Sequence, residues 1–144
     1  MKNLLLILFI AVLSSAIHGQ PPFDAGEIPD PVLKIYPCKD SCNTINAIKS
    51  ITSFAPETKW GKHPVIGSLK SYRIKLIRNE VVVEEKKAIV YNTQNNTRGY
   101  DIGDKTKSLL GKAQVGDVII IDQIKVGLPD GTIRIIEAIK IEIE

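Results

Sequence analysis

Histidine, cysteine, methionine and tryptophan are scarce in this 144-residue chain, at two, two, one and one residues, and aromatics make up only 6%. The scarcity removes several chemistries. A zinc-type site needs three or four nitrogen, sulfur or carboxylate ligands, and Cys38 and Cys42 have only His63 to join them once His18 is assigned to a leader segment. A Ser-His-Asp site would have to use His63, which lies in a Pro/Gly-rich stretch, and no serine sits in a nucleophile motif. There is no glycine-rich phosphate loop and no histidine–carboxylate cluster at metal spacing. A long apolar run is missing too: Leu4 to Leu13 is unbroken but short of the roughly 20 residues that span a bilayer. Nor does one charge dominate. The formal charge is +3, Lys86-Lys87 follows Glu84-Glu85, and Lys140 mixes with Glu142 and Glu144. Interleaved signs read as a solvated surface, with no stripe for nucleic acid.

What is present begins with a leader. Met1-Lys2-Asn3 is a short basic start, the apolar run follows, and Ser14 to Gly19 supplies small residues before Gln20. This is the layout of a secretory signal peptide over residues 1–19, with cleavage after Gly19 or, as the alternative, after Ala16. The chain from Gln20 to Glu144 is then expected to be exported, periplasmic or secreted, as one domain with no integral span after cleavage. Export places Cys38 and Cys42 in an oxidising compartment, so a structural disulfide is the expectation. A thioredoxin-like redox site would need two intervening residues, and here there are three.

Prolines 21, 22, 29, 31 and 37 crowd residues 20–37, the entry segment 20–31 above all, and Ile28 to Pro31 should run extended. Val32 to Tyr36 reads as a short edge strand. Asp40 to Thr52 reads as a helix capped by Asp40 or Ser41, with Ile45, Ile48 and Ile51 on one face. Ala55 to Gly67, with Pro56, Gly61, Pro64 and Gly67, reads as a loop. Within it, Trp60 and His63 are candidate partner contacts, set against the commoner case of a tryptophan folded over the core. Ser71 to Arg78 alternates as a half-buried strand. Val81–Val83 and Ala88–Tyr91 give two short strands or one bent one. Asn92 to Gly99 is polar loop and contains an Asn95-Asn96-Thr97 glycosylation sequon. Asp104 is expected to cap a second helix with Thr106, Leu109, Leu110 and Ala113 on one face, stopped by Gly116.

The best-specified stretch is Val115 to Glu144. Two isoleucine-rich runs flank Leu128-Pro129-Asp130-Gly131-Thr132, where Pro129, Asp130 and Gly131 carry the chemistry of a type I turn closed by a glycine bulge. Asp122 and Glu137 interrupt the apolar phases Val118, Ile120, Ile124, Val126 and Ile133, Ile135, Ile139, Ile141, Ile143. A β-bulge near Glu137-Ala138 would reconcile the pattern, or both hairpin faces are partly covered. Asp122 and Glu137 form a nominal carboxylate pair, but bulge or solvent-facing acids are the favoured reading. The expected class is α+β: a mainly antiparallel β-sheet or sandwich-like domain with two short helices and a long C-terminal β-hairpin.

Glu27-Ile28-Pro29-Asp30-Pro31-Val32, the helix from Asp104 to Ala113, and Gly116-Asp117-Val118 leading through Asp122-Gln123-Ile124-Lys125 to Gly127-Leu128-Pro129-Asp130-Gly131-Thr132 occur in that order. In that order they resemble the C-terminal periplasmic domain of the GldM/PorM family, the gliding-motility and type IX secretion proteins of Bacteroidetes. The resemblance covers Phe23 to Glu144. It implies a non-catalytic β-rich module that binds protein partners in the envelope, outer-membrane secretion components among them. A homodimer stays open; no cofactor, metal or nucleic acid is implied, and no catalytic residue carries over. The chain departs from the family plan by its cleavable leader, its lack of upstream shaft domains and its Cys38/Cys42 pair. The alternative is a secreted inhibitor or small-ligand-binding protein that uses the 55–67 stretch as its contact element.

Overall fold

A computed structural model describes residues 26–38, 42–91 and 99–144. The leader segment, Asp40 and Ser41, and the Asn95 sequon lie outside the described residues. In chain order the elements are β1 (Val32–Tyr36), α1 (Ile45–Lys49), β2 (Ser53–Trp60), β3 (His63–Ile66), β4 (Ser68–Arg78), β5 (Val81–Ile89), β6 (Tyr100–Asp101), α2 (Gly103–Gly111), β7 (Val118–Gly127), β8 (Ile133–Ile136) and β9 (Ile139–Glu142). They form two antiparallel sheets with two short helices, the α+β class expected, and the C-terminal hairpin is there.

The smaller sheet runs β1-β2-β3, with β6 pairing the start of β2. The stretch 55–67 is therefore not a loop but most of a hairpin, turned at Gly61 with φ +60°. Its prolines misdirect because their cost depends on where the missing N–H would point. The Pro56 carbonyl accepts from Gly67 N–H, and N–H and C=O of one strand residue point the same way. The missing donor of Pro56 thus falls in the gap between β6 and β3. Pro64 stands one step beyond the turn-closing pair Trp60–His63, so its nitrogen faces the open edge of β3.

The helices are shorter than their patterns suggest. α1 is a single turn capped by Thr44, whose hydroxyl accepts from Ala47 N–H; Ile48 and Ile51 are buried and Ile45 half-buried. A disulfide joins Cys38 to Cys42 just ahead of it, with Cα atoms 5.6 Å apart. α2 buries Thr106, Leu109 and Leu110 as patterned, with Ala113 buried just beyond its end, but Asp104 is not its cap. Ile102 holds that position, and the Asp101 carboxylate accepts from Gly103 N–H at 2.7 Å. The helix ends at Gly111, and Gly116 serves the turn into β7.

The larger sheet runs β5-β4-β7, with β8 and β9 sharing the far side of β7. β4 and β5 meet at the two-residue turn Asn79-Glu80, both at positive φ, the geometry that matches strand twist. β5 is one bent strand, with Val83 as its extra residue. At the other hairpin Gly131 N–H reaches the Leu128 carbonyl and Leu128 N–H the Thr132 carbonyl, with Gly131 at φ +83°. That is the type I turn with glycine bulge. The covered phase switches at Glu137-Ala138 as expected, from Ile136 to Ile141 and Ile143, and it switches in the first arm too, at the left-handed Gln123, φ +51°. Its extra residue puts Ile119 and Ile121, then Ile124 and Val126, on the inner face, whereas Val118 and Ile120 stay only half-covered outside. Opposite it, Glu137-Ala138 separate β8 from β9 without shifting register.

Both sheets and both helices contribute to one core. Phe54 of β2 meets Tyr72 of β4 edge-on, ring centroids 5.2 Å apart. The Tyr72 hydroxyl donates to the Ile102 carbonyl and takes a hydrogen bond from buried Thr106, tying α2 to the sheet. Burial pushes that hydroxyl's pKa up to about 12, against the lowering effect of the Thr106 bond.

Candidate interaction surface

Cross-strand partners share a face, so the register sorts every side chain of the larger sheet. The inner face carries Leu69, Tyr72, Ile74, Leu76, Ile119 and Ile121, all buried. The outer face is built in rows across the strands. One row is Val82, Ile77, Val118 and Glu142; the next is Glu85, Lys75, Ile120 and Lys140. A central row sets Lys87 beside Arg73 and Asp122, and the far end brings Ile89, Ser71, Lys125 and Ile135 into line.

Asp122 is the hub of that face. Arg73 grips it with two hydrogen bonds, Nε to Oδ1 at 2.6 Å and a terminal nitrogen to Oδ2 at 2.8 Å, and Lys75 Nζ adds a third at 3.2 Å. The Arg73 bonds, more than the Lys75 contact, hold the carboxyl below the usual aspartate range despite partial burial. Fully engaged, Asp122 is a poor proton carrier and a good organiser of the surface. Glu137, the other half of the nominal pair, is exposed. At the end of the two central strands, buried Asp117 takes a similar two-point grip from Arg78, at 2.8 and 2.7 Å, plus Gln114 N–H at 2.8 Å. Its pKa is lowered, chiefly by the Arg78 bonds.

The candidate contacts divide. Trp60 is only 6% exposed and its Nε1 donates to the Gly26 carbonyl at 2.9 Å, so its ring is a core piece, not an anchor on the surface. His63 is exposed at the start of β3. Pro129, Asp130 and Gly131 stand at the hairpin tip, where Asp130 accepts from the Thr132 N–H and hydroxyl and faces Arg134 at 3.5 Å. Arg134 in turn reaches the Ile28 carbonyl at 2.7 Å and Asp30 at 2.8 Å, which joins the extended entry segment to the hairpin. The entry and the corner, far apart in sequence, are thus one structural unit.

The larger sheet leaves two edges open among the described residues: β5 on one side and β8–β9 on the other. The β8 edge presents Ile133 and Ile135, 68% and 67% exposed, with Ile66 nearby across a shallow hollow of about 450 Å³ that also holds Ser68 and Lys70. A larger cleft of about 680 Å³ lies between the end of β5 and the start of α2. Among the described residues no three metal-ligating side chains cluster, and no helix is long and apolar enough to cross a membrane. Neither a scan against protein-family models nor a search of curated proteins finds a match for this chain.

The exposed isoleucine pair and the Arg73–Lys75–Asp122 hub escaped the sequence reading. Arg73 and Lys75 alternate visibly on one strand, but their shared acid comes from 47 and 49 residues away. No local pattern announces that meeting.

Proposed function

We propose that this protein is a non-catalytic, exported interaction module of the bacterial cell envelope, similar in role to the partner-binding end of the gliding and type IX secretion shaft. The observation that carries the reading is the β8 edge: two β-branched isoleucines, alternate in sequence, stand bare beside an unpaired strand edge. An extended segment added along β8 would gain main-chain bonds, with Ile133 and Ile135 covered by its alternate side chains. Lys125, across from Ile135, and Lys70 favour acids in that segment. The Cys38–Cys42 disulfide is in keeping with export, and the ordered motifs of the entry, the helix and the Pro129–Gly131 corner support the family likeness.

The test is an affinity capture from envelope extracts of the source organism, with wild type and Ile135→Asp side by side and bound proteins identified by mass spectrometry. Capture of envelope secretion or outer-membrane proteins by wild type, reduced about tenfold or more by the variant, supports the proposal. Capture of a single soluble hydrolase overturns it in favour of the inhibitor reading, and capture unchanged by Ile135→Asp removes the β8 edge from it.

A further inference from the structure

The other open edge, β5, carries a different message. β4 is its only strand partner among the described residues. Antiparallel pairs alternate between exchanging both backbone bonds and exchanging none. The bond from Val90 N–H to the Lys70 carbonyl fixes the phase. Counting back along the register from that pair, Ala88, Lys86 and Glu84 bond inward to β4. Glu85, Lys87 and Ile89 therefore turn their N–H and C=O groups to the open edge. Their side chains are also the exposed ones, on the outer face of the sheet.

We propose that β5 pairs antiparallel with β5 of a second copy of this chain, about a two-fold axis through Lys86. A two-fold perpendicular to a sheet keeps each side chain on its own face, so opposed positions must be both outer or both inner. Only outward-turned residues can exchange bonds. With the axis at Lys86, Glu85 lies opposite the partner's Lys87 and Lys87 opposite the partner's Glu85, each a bonded pair of opposite charge. At both ends Ile89, 67% exposed, then faces the bulge at Val83, 51% exposed, so apolar residues meet there. Moving the axis one residue to Glu85 sets that acid against itself and Val83 against lysine. Moving it to Lys87 opposes two lysines and leaves Glu85 facing isoleucine. One register alone is satisfied. On the axis two Lys86 side chains approach on the inner face, but each is already held by Glu84 of its own chain at 3.2 Å, and Lys112 grips the same acid at 2.7 Å.

Charged residues on an edge strand ordinarily repel a second strand. A guard of one sign does so against any copy of itself. The outward positions of β5 do the reverse, because Glu85 and Lys87 flank the axis with opposite signs and each meets the other's charge on the second copy. The proposal uses the edge opposite β8 and stands apart from the function proposed above.

The test is sedimentation equilibrium on the protein expressed from its full sequence. Wild type should dimerise. Glu85→Lys and Lys87→Glu should each weaken the dimer about tenfold or more, since each places like charges together at two symmetric points. The two single variants mixed together should associate again, because every opposed pair is then of opposite sign; the double exchange in one chain should also restore the dimer. Hydrogen exchange on wild type gives a reading that needs no variant: the Glu85 and Lys87 amides should gain protection as concentration rises, and the Lys86 amide should not. A monomer at every concentration up to the solubility limit, single variants that dimerise like wild type, or a mixture that does not associate would each overturn the proposal.

Discussion

The β4–β5 and β7–β8–β9 hairpins are both long, both bent by one extra residue, and end differently. In the first, the extra residue is Val83 on the edge strand, which has one neighbour among the described residues, and β5 runs unbroken for nine residues. In the second, it is Gln123 on β7, a strand with neighbours on both sides. There the ladder breaks opposite Glu137-Ala138, and the second arm splits into two four-residue strands. A bulge at an edge bends a strand; a bulge inside a sheet interrupts its neighbour. The result is two unlike edges: a continuous one whose charges complement their own reverse, and a divided one that displays isoleucine.

The sharpest contrast lies within one cross-strand neighbourhood. Ile124, just past the left-handed Gln123, is fully buried, whereas Ile135 on the facing strand is 67% exposed. Ile124→Ala should lower the unfolding free energy by about 3 kcal/mol through lost burial and the cavity left behind. Ile135→Ala should stay within about 0.5 kcal/mol. Urea titration of both measures the difference, and equal losses would mean the face assignment across the bulge is wrong.

Next in size is the tie between the hairpins, Arg78 at the end of β4 holding Asp117 ahead of β7. Asp117→Ala should cost about 2 kcal/mol, since it removes charge-assisted bonds to a buried carboxylate. The native pKa of Asp117 is lowered, so the unfolded state takes up the proton first. Its contribution is therefore complete above the ordinary value of about 3.9 and is lost as pH falls through the depressed native one. Denaturation midpoints followed from about pH 5 down to about pH 2 should fall less steeply in the variant than in wild type. A parallel decline in the two would assign acid sensitivity to other carboxylates, Asp122 first.

The smallest effects compare the two turns. Gly131 occupies a left-handed position at no cost, and Gly131→Ala should lose about 1 kcal/mol. Glu80 takes φ +65° at the corresponding corner of the first hairpin, and Glu80→Gly should gain about 0.5 kcal/mol. Thermal melts that shift the same way for both substitutions would contradict the turn assignment.

The sequence by itself determined the elements whose signal is local. Alternation in Ser71–Arg78, the Pro129-Asp130-Gly131 corner, the apolar face of α2 and the Cys38/Cys42 pair all correspond to what the chain forms, because each depends on neighbours within a few residues. The α+β class followed from these. Tertiary structure alone decided the rest. Pro56 and Pro64 are tolerated in strands because their missing donors face a gap and an open edge, which no local pattern encodes. The α1 pattern yields a single turn, since Tyr36 bonds to Thr52 N–H and draws the following residues into the small sheet. The left-handed Gln123 and, opposite it, the break at Glu137-Ala138 together set which isoleucines are covered. The outer face of the larger sheet was the least legible, because its rows join residues from four strands. A side chain's hydropathy says that burial is favourable; only the register across strands says on which face it lies.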